Sequence, residues 1–535
     1  MPKIHRKPYS AISRRQLNRR IQGHINESIS ILGHTAEVLS TESNFISGST
    51  FSHQSEESNS DLAEHATELG DCENGVGGTP LCTVSEGDNV DGLENVSLIE
   101  PDSHRPSEGN SVVEEVEASF QDKLAIWAIE NNITQSSMSK LLAILKEHPC
   151  HSSLPRDART LLRTPRRTVV KDMAPGKYCH FGLLGVIKIA LSHCPSDNIP
   201  DTIKLFMCVD GLPLSKSSAS QFWPILCSLL SEDKLFGPFV VGLYHGNAKP
   251  SSADEFLRDF VDDLKNLLDT GIDFNNRVVT VKLSGIVCDA PAKAFITCTK
   301  GHAGYFSCSK CSQEGRYIRG RVCYPSLDYA LRTDEGFKSR EQEEHHVGNS
   351  PLEEISSFGM VTQIPLDYMH LICLGVVRKL LNLWLRAEVP VRLGSRGVKS
   401  ISGHLMELKT SIPEEFARQP RDLKEIDRWK ATEFRQLLLY TGPLVLHSVL
   451  PADKYQHFMA LHCAVSILAS EKYCQIYNEY ANSLLHHFVK TFSAIYGPEN
   501  VSHNVHGLLH LSDDVKKMDP WMPLVHLNLK TTCRN

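Results

Sequence analysis

The sequence predicts an α/β fold with a disordered acidic tail in front of it and an all-α insertion within it. Three observations carry that expectation. Residues 21 to about 115 are rich in Ser, Glu, Asp, Asn and Gly and poor in aromatics. Four apolar, strand-like runs lie between Ile203 and Cys288, with one amphipathic helix before the last. From about residue 350 to 490 the apolar pattern becomes helical.

The tail buries too little apolar surface to offset its chain entropy, so residues 1–115 read as disordered behind a basic start. That start holds Lys3, Arg6, Lys7, Arg14, Arg15, Arg19 and Arg20, whereas from Ile21 to Asp122 the single Lys or Arg is Arg105. The net charge of −7 over 535 residues therefore reports the tail and says little about partners. The N-terminus lacks the apolar stretch of a signal peptide, and no apolar run reaches the roughly eighteen residues that span a bilayer. The 16 cysteines are scattered and read as reduced thiols or metal ligands rather than a disulfide framework.

Order begins near Phe120. A helical segment over 116–195 is expected to open with Leu124, Trp127 and Ala128 on one face. Thr134 is placed to cap a second helix striped by Met138, Leu141, Leu142 and Leu145. The pair reads either as a DNA-binding helix-turn-helix or as a helical hairpin packed on a core. The basic run that follows, with Arg159, Arg163, Arg166 and Arg167, either meets phosphates or forms a solvated linker.

The next segment, 196–315, carries the strands. Ile203–Val209 runs into Asp210-Gly211; Phe222–Leu230 is weakened by Pro224; Phe239–Tyr244 is a third strand. Ser252 opens a helix with Glu255 placed for a capping box and Phe256, Phe260, Leu264, Leu267 and Leu268 on its apolar face. Val278–Cys288 ends at Asp289. The order β-β-β-α-β, with an acid closing the first and fourth strands, is the ribonuclease-H-like plan, in which those strands lie side by side and bring both acids to one edge. The helical insertion is expected over 316–490, with helices at Met369–Glu388, Phe434–Leu450 and Ala460–Phe492, and the core is expected to resume over 491–535.

Three groups of residues have chemical potential. Asp210 and Asp289 are hard oxygen donors of the kind that hold paired Mg²⁺ or Mn²⁺ ions for phosphodiester cleavage, although acids at strand ends also serve as turn and helix caps. Cys308 and Cys311 form a C-x2-C, and His506 and His510 form an H-x3-H one helical turn apart. Together they make one Cys2His2 zinc site closed across the insertion, or else two unrelated local clusters, with His503 a rival ligand. Asp367 and His370 form an Asp-x2-His pair, read either as an accessory to the acidic edge or as a helix-capping Asp beside a half-buried His. No phosphate-binding glycine loop or serine-nucleophile motif is present.

In order and composition these motifs resemble the CACTA/EnSpm-type transposases, with the related Mirage and Chapaev elements. The matching pieces are Asp210-Gly211, Asp289-Ala-Pro-Ala292, the Lys300–Cys311 segment, Asp367-Tyr-Met-His370 with its apolar helix, and the Val505–Lys516 segment containing both histidines. They cover residues 120–524. The resemblance implies DNA cleavage and strand transfer, with Asp210 and Asp289 as two members of an Asp-Asp-Glu triad. It also implies Cys308, Cys311, His506 and His510 as zinc ligands, Asp367 and His370 as accessory residues, terminal-repeat and target DNA as partners, and a homo-oligomer. The nucleus is the expected location, with Arg14-Arg15 and Arg19-Arg20 able to serve in import. The third acid of that pattern has no counterpart. No acid follows Asp519, and Pro523–Asn535 reads as a truncated or altered end. The resemblance places Asp513, Asp514 and Asp519 in a solvated turn rather than in the role of that acid, and the alternative expectation is a catalytically inactive DNA-binding or interaction protein.

Overall fold

The computed structural model describes residues 119–517 apart from 132, 165–167, 193–199, 216 and 232–233. The acidic tail, its basic start, Arg166, Arg167 and Asp519 lie outside the described residues. Two compact units are present, and the described part of the smaller one ends at Thr164.

In that smaller unit, helices α1 (Phe120–Glu130) and α2 (Gln135–Leu145) are each capped by a hydroxyl: Ser119 accepts from the backbone of Asp122, and Thr134 from that of Ser137. Ala128, Met138 and Leu142 join Leu154, Ala158 and Leu161 in a small core of their own. Trp127, expected on the buried face, is 43% exposed. At the helical repeat it falls one position to the side of Ala128, and the buried stripe passes through the smaller residue. Two of the basic residues are engaged locally, Arg163 with Asp122 at 2.9 Å and Arg159 with Gln135 at 3.3 Å.

The larger unit is built on an eight-stranded mixed sheet with α-helices, and therefore belongs to the α/β class. Its strands are β1 (Lys171–Met173), β2 (Gly176–His180), β3 (Thr202–Val209), β4 (Leu212–Pro213), β5 (Gln221–Ser231), β6 (Lys234–Gly246), β7 (Ile272–Phe274) and β8 (Arg277–Cys288). They run in the order β1-β2-β6-β5-β3-β8-β7, with β4 beside β5. The sheet begins at Lys171, so it reaches upstream of the expected boundary at 196 and takes in two short strands that carry too few apolar residues to stand out. Strands β3 and β8 pair in parallel, and every other pair is antiparallel. β3 is apolar on both faces because both are covered. Ile203, Leu205, Met207 and Val209 face the main core, and Phe206 and Cys208 face a smaller one with Leu226, Leu230 and Val287.

Pro224 sits within β5 despite lacking an N–H. Its neighbour Ile225 pairs with Val209, the last residue of β3, and β4 resumes pairing at Phe222, so Pro224 falls in the gap between them. Helix α3 (Leu183–Ser192) follows β2, and between β6 and β7 lies helix α4 (Ala253–Thr270), whose N-cap Ser252 accepts from the Glu255 backbone. Phe256, Phe260, Val261 and Leu264 on α4 are fully buried against the sheet. The helix stops at Gly271, which has φ +69° and where a Cβ would meet the Val279 carbonyl at 2.9 Å.

A second large core is helical. A π-helical segment, Met369–Val377, runs directly into α6 (Arg378–Arg386), followed by α7 (Ser395–Leu408), α8 (Ala452–Leu468) and α9 (Asn478–Tyr496). One expected helix is broken: Ala460–Phe492 is divided at 469–477, where Ser470-Glu-Lys interrupts the apolar stripe. The helix expected at Phe434–Leu450 is shifted, since Ala431–Gln436, a π-helical Leu437–Thr441 and Gly442–Val445 run on without a gap and end at Val445, with Pro443 unable to donate to the preceding turn. Among the described residues no helix is long and apolar enough to cross a membrane, and no disulfide joins the cysteines.

The helical core contains a titratable group that resists charging. His457 stacks on Phe488 at 4.0 Å and bonds its carbonyl through Nε2 at 3.0 Å, and burial pulls its pKa down to about 4. An unfolded histidine titrates near 6.5, so between that value and 4 the unfolded chain binds more protons than the folded one. The associated stability is complete above about pH 6.5 and is lost as the pH falls towards 4, at about 1.4 kcal/mol per pH unit. Denaturant melts between pH 7 and 4 are expected to show a shallower acid slope in His457→Leu than in the wild type.

Candidate metal cluster and carboxylate edge

The parallel register of β3 and β8 sets Val209 opposite Cys288, so Asp210 and Asp289 leave the sheet from neighbouring strand ends on one edge. Adjacent strands lie about 4.8 Å apart. Both acids are half-buried. Gly211 next to Asp210 leaves room for the Trp223 ring, which lies 3.1 Å from where a Cβ would stand and would have to shift by a few tenths of an ångström to admit one. Asp289 caps α5 (Ala290–Ile296), its Oδ1 accepting from the Ala292 N–H at 2.8 Å. Pro291 in the first turn suits that position, where no N–H is required.

Asp367 and His370 stand at the start of the π-helical segment. Asp367 is buried; Oδ1 accepts from the backbone of Met369 and His370, and Oδ2 meets His370 Nδ1 at 2.5 Å. The carboxylate is thus at once a helix cap and an orienter of the imidazole. Both residues line a cleft that reaches Cys288 at the end of β8 and Ala290 at the start of α5. The structure therefore brings the Asp-x2-His pair to the same edge of the sheet as Asp289.

Cys308, Cys311, His506 and His510 are all buried, and their ligand atoms lie within 4.8 Å of one another. The C-x2-C and H-x3-H are one cluster, assembled across nearly two hundred residues. Cys311 Sγ lies 3.2 Å from His506 Nε2, and the two Nε2 atoms are 3.3 Å apart. A tetrahedral ion with bonds of about 2.0–2.3 Å requires ligand atoms roughly 3.3–3.8 Å apart, so the donor set fits one metal ion. The chemistry agrees. Burial works against a thiolate at Cys308, but the Cys311 thiol that donates to it and the nearby His510 and His506 hold its pKa well below the ordinary range. That hydrogen bond and burial push Cys311 up. A cation between them would favour the deprotonated form of both thiols. His503 is not a member; its ring packs edge-on to His302 and Tyr324. Tyr324 stacks on His506 at 5.2 Å, and Tyr329 meets His510 edge-on at 4.9 Å, so aromatic rings fix both imidazoles.

A buried polar network, invisible to motif reading, joins this cluster to the Asp367 segment. Lys310, between the two cysteines, pairs with Asp514 at 2.6 Å, both side chains being under 10% exposed. Lys310 also donates to the Val361 carbonyl at 2.7 Å, and Asp514 Oδ2 accepts from the Leu366 N–H at 2.8 Å. Lys293, one turn beyond Asp289, donates to the carbonyls of Ile364 and Pro365. Its burial, with Lys310 nearby, lowers its pKa to about 8. Asp514 therefore corrects the expectation of a solvated turn: its helix, Leu511–Lys517, turns it inward to satisfy a lysine and a backbone donor. A lysine in the apolar run of Ala292, Phe295 and Ile296 was the available signal for Lys293.

No family model and no curated protein matches the chain.

Two outcomes follow from the geometry. Cobalt added to protein stripped of metal is expected to give a tetrahedral absorption spectrum and to raise the melting temperature; Cys308→Ser and His510→Ala should each abolish both effects. In denaturant melts, Lys310→Met or Asp514→Leu alone is expected to cost about 3–5 kcal/mol by stranding a buried charge, whereas the double replacement costs much less than the sum.

Proposed function

We propose that this chain is a transposase-like protein of CACTA/EnSpm ancestry whose carboxylate edge acts on DNA phosphodiesters. The observation that carries the proposal is the exit of Asp210 and Asp289 from paired, parallel strand ends beside the cleft lined by Asp367 and His370. The sheet and its helical companion are read as a ribonuclease-H-like core with an all-α insertion over 316–490. In that reading Asp210 and Asp289 would hold Mg²⁺ or Mn²⁺, which supplies activation of the attacking oxygen and stabilisation of the leaving one. The chain's own part is to hold the carboxylates at one edge, with α5 fixing Asp289 and Asp367 fixing the His370 ring. Cys308, Cys311, His506 and His510 would hold a structural Zn²⁺ that ties the edge to the helical core. DNA is the partner, in a homo-oligomer acting in the nucleus.

A second reading is favoured by the structural duties of the carboxylates, since Asp289 caps α5 and Asp367 caps the π-helical segment whether or not a metal is held. In it the fold keeps DNA affinity without cleavage.

The test uses terminal-repeat DNA cloned from beside the gene. With Mg²⁺ the wild-type chain is expected to nick it. Asp210→Asn and Asp289→Asn should abolish nicking and leave binding intact, since asparagine caps α5 as well as aspartate does. Binding that weakens steeply with salt but never yields a nick supports the second reading. Absence of both rejects the two together.

A further inference from the structure

The cleft next to the carboxylate edge is opposite in character to the edge itself. Its ionisable lining comprises Lys293, Lys300, His302, His370 and His503, against one carboxylate, Asp367. That carboxylate is already occupied by the His370 imidazole and two backbone N–H groups. Lys293 is turned to backbone carbonyls and contributes its field from the floor. Lys300 is different. Its Nζ lies 5.6 Å over the Phe306 ring, and among the described residues no carboxylate pairs with it. His302 beside it is exposed. His503 also lines the cleft, and its Nδ1 is buried with no hydrogen-bond partner among the described residues. Cationic and hydrogen-bonding groups with one neutralised acid among them suit a compact oxyanion. Two carboxylates stand at the adjoining strand ends, so a free anion binds the cleft weakly, and a phosphate carried by a longer strand gains from that strand's other contacts.

We infer that this cleft is a phosphate-binding subsite in which Lys300 and His302 hold a backbone phosphate of the nucleic-acid strand flanking the phosphodiester at the carboxylate edge. The inference rests on the proposed function for the identity of the strand, and on the cleft alone for the phosphate. Lys300 and His302 are binding residues here; His503 and Lys293 shape the field around them.

The experiment uses the full chain, with Lys300→Ala, His302→Ala and, as a rescue, Lys300→Arg, each checked by thermal melting. Duplex DNA binding is measured by anisotropy across a salt series, and inorganic phosphate binding by ³¹P line broadening. Loss of one phosphate contact is expected to lower the slope of log affinity against log salt by about 1 in Lys300→Ala, on any sequence, with recovery in Lys300→Arg. A single methylphosphonate should weaken wild-type binding at one position and have no effect there in Lys300→Ala. Wild-type binding that is indifferent to both substitutions overturns the inference. If DNA does not bind but phosphate broadening depends on Lys300, the subsite stands and the nucleic-acid reading falls. If neither ligand responds to Lys300, the subsite is rejected.

Discussion

The convergence of Cys308 and Cys311 with His506 and His510 is the constraint on which the arrangement of this protein turns. The two pairs are separated by the whole helical region, and they meet with nitrogen and sulfur 3.2 Å apart. Closing so long a loop costs chain entropy that rises only slowly with length, so a single bound ion can fix the two ends of the helical region together. The aromatic rings of Tyr324 and Tyr329 on the two imidazoles serve the same end, since they come from the segment that leads away from the cysteines.

From that closure the geometry of the carboxylate edge follows. Lys310 lies between the cysteine ligands and Asp514 one turn past His510, so the ion pair between them is set by the same two elements as the cluster. The pair then grips residues 361–366 through Val361 and Leu366, while Lys293 grips them from the helix that Asp289 caps. Asp367 follows immediately. A buried pair of this kind is a poor source of net stability but a demanding one geometrically, because neither charge tolerates losing the other. Its location is what makes the position of Asp367 and His370 inseparable from that of the cluster.

Much of the site was legible in the sequence, because motif spacing is local. C-x2-C, H-x3-H and Asp-x2-His each lie within a turn or two, and strand β3 announced itself through an apolar run ending in Asp-Gly. The neighbouring of β3 and β8 followed from the order of elements. The ion pair of Lys310 and Asp514 was not legible, since partners two hundred residues apart carry no spacing signal and Asp514 stands among polar residues that resemble a surface turn. β1 and β2 were missed because short edge strands hold few apolar residues, and the division of Ala460–Phe492 because its flanks have the same helical pattern.

The residues of the carboxylate edge are also residues of the fold. Asp289 begins a helix, Asp367 caps another, and Gly211 makes room for Trp223. Packing and capping therefore retain the edge whether or not it turns over substrate, and removing a carboxylate outright acts on a helix as well as on any metal. The cleft's cations differ in this respect. Among the described residues Lys300 and His302 cap no helix, and the Lys300 ammonium lies over the Phe306 ring. Capping and ion pairing among the described residues give no reason for positive charge at that place, whereas the proposed phosphate subsite would give one.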